Sequence, residues 1–309
     1  MEYRNCRAAY GEALRSLGEE NKNIVVLEAD LGNSTMSKLF GAAFPERYFQ
    51  MGIAEQNMAS VAAGLSFTGK IPFINSFAVF STGRPYDQIR SSICIPGANV
   101  KICGSSAGLS DYGDGKTHQS VDDISLMRGL PHMTVFSPVD AVETEKAVRA
   151  MAEISGPCYI RINRNDVPVL TRPEDPFAAG KMSVMREGTD IVLFATGYMV
   201  WQSLLAADLL AEKGISAKVV NVCTIKPLDE AEVLRLAEGA KAVLTAEEHS
   251  IYGGLGSAVL HALRKSGIPV DLVGIEDTFG TSGENYEVML RGYHLMPEDI
   301  AARAEEMLR

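Results

Sequence analysis

Short apolar runs alternate with longer stretches of helical period along the whole chain. Residues 23–28 (NIVVLE), 70–77 (KIPFINSF), 100–104, 133–136 and 158–162 read as strands of the buried, parallel kind, apolar with little alternation. Between them, residues 10–17, 56–66 and 142–152 place apolar side chains at helical spacing. Strands separated by helices of this length predict a parallel sheet with helices on both faces. From residue 166 to 181 the period fades and Pro168, Pro173 and Pro176 gather, which marks a linker at 171–187. A second series then begins, with strands at 190–196, 217–222, 242–247 and 270–274 and helices at 200–213, 229–238 and 256–265. The expected fold is α/β, as two consecutive open, mostly parallel α/β sandwich domains over residues 1–170 and 188–309.

Composition narrows the function classes. Lys plus Arg number 29 against 39 Asp plus Glu, a formal charge of −10, and no basic cluster is present. Nucleic acid and anionic membrane are therefore poor partners, whereas a few buried arginines can still hold a small anion. Hydrophobic residues at 46% and charged residues at 22% exclude a disordered or coiled-coil chain. No run approaches the roughly 20 apolar residues that cross a bilayer, and the polar, helical start MEYRNCRAAYGEALRSLG lacks a secretory signal, so a cytoplasmic protein is expected. Cys6, Cys94, Cys103, Cys158 and Cys223 lie scattered without CxxC spacing and read as small buried apolar residues.

Three stretches carry candidate chemistry. In MGIAEQNM, Glu55 enters a helix that is apolar almost all round, so that helix is expected to be buried on every side. Its carboxylate is either a functional group or a first-turn acid favoured by the helix dipole. YGDGKTHQ sets Asp114, Lys116, Thr117 and His118 on a glycine-rich loop, suited to acid–base work or to a plain surface turn. RINRND puts Arg161 and Arg164 past a strand's carboxyl end, where α/β sheets bind ligands and where a solvated strand end is the alternative. YGGLGSAV at 252–259 lacks the third glycine of a dinucleotide fingerprint and reads as a turn.

Read together, MGIAEQNMASVAAGLSFTGKIPFINSFAVFSTGRPYDQIRSSI and YGDGKTHQSVDDISLMRGLPHMTVFSPVDAVETEKAV resemble the pyrimidine-binding domain of transketolase, a thiamine diphosphate enzyme. The second unit is similar to transketolase's carboxy-terminal domain, so the resemblance covers the whole chain in order. No segment matches the diphosphate-binding, magnesium-holding domain with which a full transketolase begins. The resemblance therefore implies one chain of a split transketolase, with the other half on a partner polypeptide and two copies of each chain.

Carried over residue by residue, the resemblance gives Glu55 the hydrogen bond to the cofactor's pyrimidine nitrogen. That bond biases the ring toward the imino tautomer, whose nitrogen takes the proton from the adjacent thiazolium carbon. Phe77 and Phe80 pack the aminopyrimidine, and Asp30 joins the cofactor-binding set. His118 assists proton transfer and Asp114 reads hydroxyl configuration. Arg164, Arg7 and Ser34 hold the substrate phosphate, and Arg161 resembles a second arginine of deoxyxylulose phosphate synthases. Magnesium falls to the partner, and this chain supplies no metal ligand.

Two departures stand out. STGRPYDQIR runs one residue longer than in many transketolases, and Gly104-Ser105 replaces a phosphate-contacting histidine of bacterial enzymes. The implied reaction is transfer of a two-carbon ketol unit from a ketose phosphate such as xylulose 5-phosphate to an aldose phosphate such as ribose 5-phosphate, in the pentose phosphate pathway. The β subunit of a 2-oxo acid dehydrogenase, a deoxyxylulose-phosphate-synthase-like enzyme and a non-catalytic regulatory subunit are the alternatives.

Overall fold

The computed structural model describes residues 1–309. Its strands, in chain order, are β1 (Tyr3–Asn5), β2 (Ile24–Glu28), β3 (Tyr48–Gln50), β4 (Ile71–Phe77), β5 (Lys101–Ser105), β6 (Thr134–Phe136) and β7 (Cys158–Ile162). There follow β8 (Asp166–Pro168), β9 (Ser183–Arg186), β10 (Ile191–Ala195), β11 (Ala217–Asn221), β12 (Thr224–Lys226), β13 (Ala242–Ser250) and β14 (Val270–Ile275). Every strand read from the pattern is present within a few residues of its expected ends. The helices Cys6–Glu20, Glu55–Ser66 and Ala141–Glu153 fill the first series, and Met199–Glu212, Glu230–Ala237 and Leu255–Leu263 the second.

The first sheet has the order β12-β6-β7-β5-β4-β2-β3 and is parallel except for β12. The second has the order β14-β13-β10-β11-β9 and is parallel except for β9. In β2, β5, β7 and β10 all five residues are buried, which follows from helices covering both faces. Two features lie outside the simple two-unit picture. The end of the 171–187 stretch forms edge strand β9, and β12, from the second series, adds to the first sheet antiparallel to β6. Periodicity is silent on both, because three- and four-residue strands are too short to show one.

Helix capping fixes the chain between the units. The Asp140 carboxylate accepts from the Glu143 N–H at 2.8 Å, opening the helix Ala141–Glu153. It also accepts from the Leu170 and Thr171 N–H groups at 2.7 and 2.6 Å, so one cap holds both the helix and the exit from the first domain.

The helix Glu55–Ser66 differs from expectation. Met58, Ala59, Ala62 and Ala63 pack against the sheet, but Asn57, Ser60, Val61 and Gly64 face solvent. Small side chains on all sides gave the impression of complete burial; half of them line an open face.

Contacts between the two units include a buried charged cluster. Arg161 on β7 is nearly fully buried and donates from Nε to Asp123 at 2.9 Å and from Nη2 to the Glu248 carbonyl of β13 at 3.1 Å. Burial alone would raise the Asp123 pKa, but the Arg161 guanidinium, with help from His249 and the Tyr159 hydroxyl, holds it below the usual carboxylate range. Removing one partner of such a pair leaves a bare buried charge. Arg161→Met is expected to cost about 3–5 kcal/mol in chemical denaturation, and a loss below about 1 kcal/mol would contradict this role.

Candidate active site

In the first sheet the chain passes from β2 outward to β3, then returns to the other side of β2 as β4. The carboxyl ends of β2 and β4 therefore flank a switch in strand order, where open α/β sheets present a crevice. Glu55, the first residue of the helix between β3 and β4, lies there 4% exposed. Its Oε1 accepts from Arg84 Nη1 at 2.6 Å. Arg84 is half exposed and lies over the Phe80 ring, 4.0 Å from its centroid.

At the end of β4, Phe77 and Phe80 stand nearly parallel, 15° apart with centroids separated by 6.1 Å. The His118 ring meets both edge-on, at 5.3 Å from Phe80 and 6.2 Å from Phe77. His118 Nδ1 is 2.9 Å from the Thr117 hydroxyl. Arg164, just past β7, lies 5.7 Å from the Phe77 ring and pairs with Asp111, with Asp114 at 3.8 Å. Arg7 donates to the Ser34 carbonyl at 3.0 Å, and its pKa is lowered by burial and then by the charge of Arg164. Glu55, Phe77, Phe80, His118, Asp114, Arg164, Arg7 and Ser34 thus form one chain of neighbours along the carboxyl edge of the sheet.

Asp30 sits exposed at the end of β2 with φ +63°, its N–H donating to Gln50 Oε1 at 2.8 Å. Arg161 does not join the group. Its guanidinium donates to Asp123 and to the Glu248 carbonyl in the interior. No group of three or more His, Cys, Asp or Glu side chains gathers to the size of a metal site.

Three participants had no sequence signal. Arg84 and Asp111 are recognisable only through partners 29 and 53 residues away. Glu28 is the third. Fully buried at the end of β2, it accepts from the Ala29 and Leu31 N–H groups, each at 3.1 Å, from the Thr35 hydroxyl at 2.9 Å, and from Ser37. It thereby shapes the turn that presents Asp30 and Ser34.

The second domain braces the glycine-rich loop. Gly283 N–H donates to the Tyr112 carbonyl at 2.9 Å. Gln119 Nε2 bridges the Asp111 and Thr281 carbonyls at 3.1 and 2.9 Å. Gly115, at φ +73°, lies so close that a Cβ would stand 2.4 Å from the Ser282 hydroxyl. Gly104 is also obligatory, since a Cβ there would stand 2.3 Å from the Tyr159 hydroxyl, leaving no room for a histidine.

Residues 2–169 match the family described as transketolase, pyrimidine binding domain, and residues 180–300 match transketolase, C-terminal domain. The chain belongs to the transketolase family. Its relatives include a putative transketolase C-terminal section from Methanocaldococcus jannaschii, 42% identical over 99% of this chain and 97% of its own length. A 6-deoxy-6-sulfo-D-fructose transketolase subunit from a Clostridium species is 41% identical over 98% of this chain and 92% of its own. A solved structure described as a split gene transketolase, inactive beta4 tetramer, superposes with a TM-score of 0.88 at 46% identity, covering 98% of each chain. Human transketolase, 38% identical, is covered over only 42% of its length. The chain is thus a split transketolase-type subunit, and membership implies dependence on thiamine diphosphate.

Burial pushes the Glu28 pKa up to about 7, against the four donors that favour its charge. With the unfolded value near 4.3, its stabilising contribution is present at low pH and is lost as pH rises toward 7. The unfolding free energy of the wild type is expected to decline over that window, and Glu28→Gln to flatten the decline. Identical pH profiles for both proteins would contradict the assignment.

Proposed function

We propose that this chain is the pyrimidine-binding and C-terminal half of a two-chain transketolase. It transfers a two-carbon ketol unit from a ketose phosphate such as xylulose 5-phosphate to an aldose phosphate such as ribose 5-phosphate, within the pentose phosphate pathway of the cytoplasm. The carrying observation is Glu55, a carboxylate taken almost wholly out of water and linked through Arg84 to Phe80 of the parallel pair Phe77 and Phe80.

The residues present fit the aminopyrimidine half of thiamine diphosphate. A buried carboxyl whose hydrogen-bond partner is a half-exposed arginine can exchange that partner for a ring nitrogen. Phe77 and Phe80 give the flat apolar wall a ring requires. When bound, the cofactor supplies a nucleophilic carbon and an electron sink for carbon–carbon cleavage. Glu55 would hold a proton on the pyrimidine nitrogen, His118 would move protons at the sugar hydroxyls, and Asp114 would orient those hydroxyls. Asp30 would border the cofactor, and Arg7, Ser34 and Arg164 would bind the anionic end of the sugar. The diphosphate and Mg2+ would be held chiefly by the partner subunit, in an assembly of two copies of each chain.

The relatives support a split enzyme, and their names carry different sugars. Besides the sulfofructose enzyme, a relative 33% identical over 98% of this chain is named as one of the subunits of an apulose-4-phosphate transketolase, from Phocaeicola vulgatus. A sugar with a different anionic end is accordingly the second reading. The split gene transketolase described as an inactive beta4 tetramer supports the need for a partner.

Reconstitution tests the proposal. This chain, the diphosphate-binding subunit, Mg2+ and thiamine diphosphate are expected to carry out transfer from xylulose 5-phosphate to ribose 5-phosphate, with negligible rate when either chain is omitted. Full activity from this chain alone would contradict the split reading. A stable cofactor-loaded complex inactive on both sugars would contradict the substrate assignment.

A further inference from the structure

The arginines assigned to the anionic end of the substrate are not free. Arg164 is one-third exposed, whereas the Asp111 carboxylate that pairs with it is 3% exposed. Asp111 is therefore the built-in member of the pair and Arg164 the one that reaches the crevice. The backbone locks the two together. Arg164 N–H donates to the Ser110 hydroxyl at 3.2 Å, Asn165 Nδ2 donates to the Ser110 carbonyl at 3.0 Å, and Asn5 Nδ2 donates to the Arg164 carbonyl at 3.2 Å. Arg7 stands close enough to feel the charge of Arg164, and its buried Nε has no partner. With Asp114 at 3.8 Å from Arg164 and the charge of Asp166 also acting on Arg7, two positive and three negative side chains meet at this end of the crevice.

Such a balance offsets part of the attraction the two arginines offer a phosphate. A dianion approaching Arg164 must share the guanidinium with a buried carboxylate and is repelled by it. A neutral sugar terminus meets no such opposition.

We propose that Asp111 is a specificity-determining residue that holds Arg164 and tempers the preference of the site for phosphorylated over unphosphorylated sugars. The proposal rests on the ketol-transfer reading for its substrate class, but the charge balance exists in the chain itself. Asp111 acts through Arg164 and is a positioning residue. The hydroxyl-reading residues Asp114 and His118 then carry more of the substrate choice than the terminal charge does.

The test is equilibrium binding of inorganic phosphate at pH 8 to the full chain in its assembled complex. Asp111→Asn is expected to tighten phosphate binding roughly tenfold, Asp111→Glu to restore the wild-type affinity, and Arg164→Ala to abolish the gain when combined with Asp111→Asn. Asp111→Ser serves the same purpose should the Asn variant fold poorly. In turnover the gain is expected in KM for xylulose 5-phosphate, with neither kcat nor the KM for unphosphorylated xylulose following it. Unchanged or weaker phosphate binding in the folded Asn or Ser variant overturns the proposal. If phosphate binding shifts as expected while neither sugar is turned over, the role of Asp111 stands and the ketol-transfer reading falls.

Discussion

A carboxylate moved out of water costs several kcal/mol unless an opposite charge or hydrogen-bond donors meet it, and Glu55 is met by the exposed end of Arg84. Everything around it serves to make that burial possible. The helix it opens packs Met58, Ala59, Ala62 and Ala63 on the sheet, and its first turn offers the positive end of the helix dipole. The switch in strand order between β2 and β4 leaves the crevice into which this end projects. The Phe80 ring lies against the Arg84 guanidinium and so helps exclude water from the Glu55–Arg84 pair.

The second domain has a physical function in this arrangement beyond filling length. The loop bearing Asp114 and His118 is rich in glycine, and left to itself it would be free to move. The segment around Thr281 to Gly283 holds it by two backbone carbonyl contacts and one close approach. Behind it, Glu248 accepts from the Leu109 N–H and the Tyr286 hydroxyl, each at 2.7 Å, and Tyr286 in turn accepts from Asn163. A core that joins Leu109, Val121 and Val139 to the second sheet makes the two domains one packed body at this face. Orientation of the loop thus comes from outside the domain that contains it.

Much of this was legible in the chain. Buried parallel strands announce themselves by unbroken apolar runs, and the helices between them by period, so both sheets and their order of elements follow. Glu55, Asp114, His118 and Arg164 stood out because charged groups beside glycine or small residues at strand ends are where crevices form. Arg161 shares a strand end with Arg164, and its position inside β7 turns it into the core toward Asp123, which the sequence does not reveal. Arg84, Asp111 and Glu28 were hidden because their meaning lies in partners brought by the fold rather than in neighbours along the chain. The open face of the helix Glu55–Ser66 was hidden because alanine, serine and glycine suit both a core and an uncovered surface.

The central claim is that Glu55 governs proton transfer at the cofactor. The direct measurement is the rate of hydrogen–deuterium exchange at the thiazolium carbon of thiamine diphosphate bound in the reconstituted complex, for wild type and Glu55→Gln. An exchange rate lower by about 10²–10⁴-fold is expected in the variant, with assembly and cofactor occupancy retained. Equal exchange rates in the two fully loaded complexes would contradict that role for Glu55.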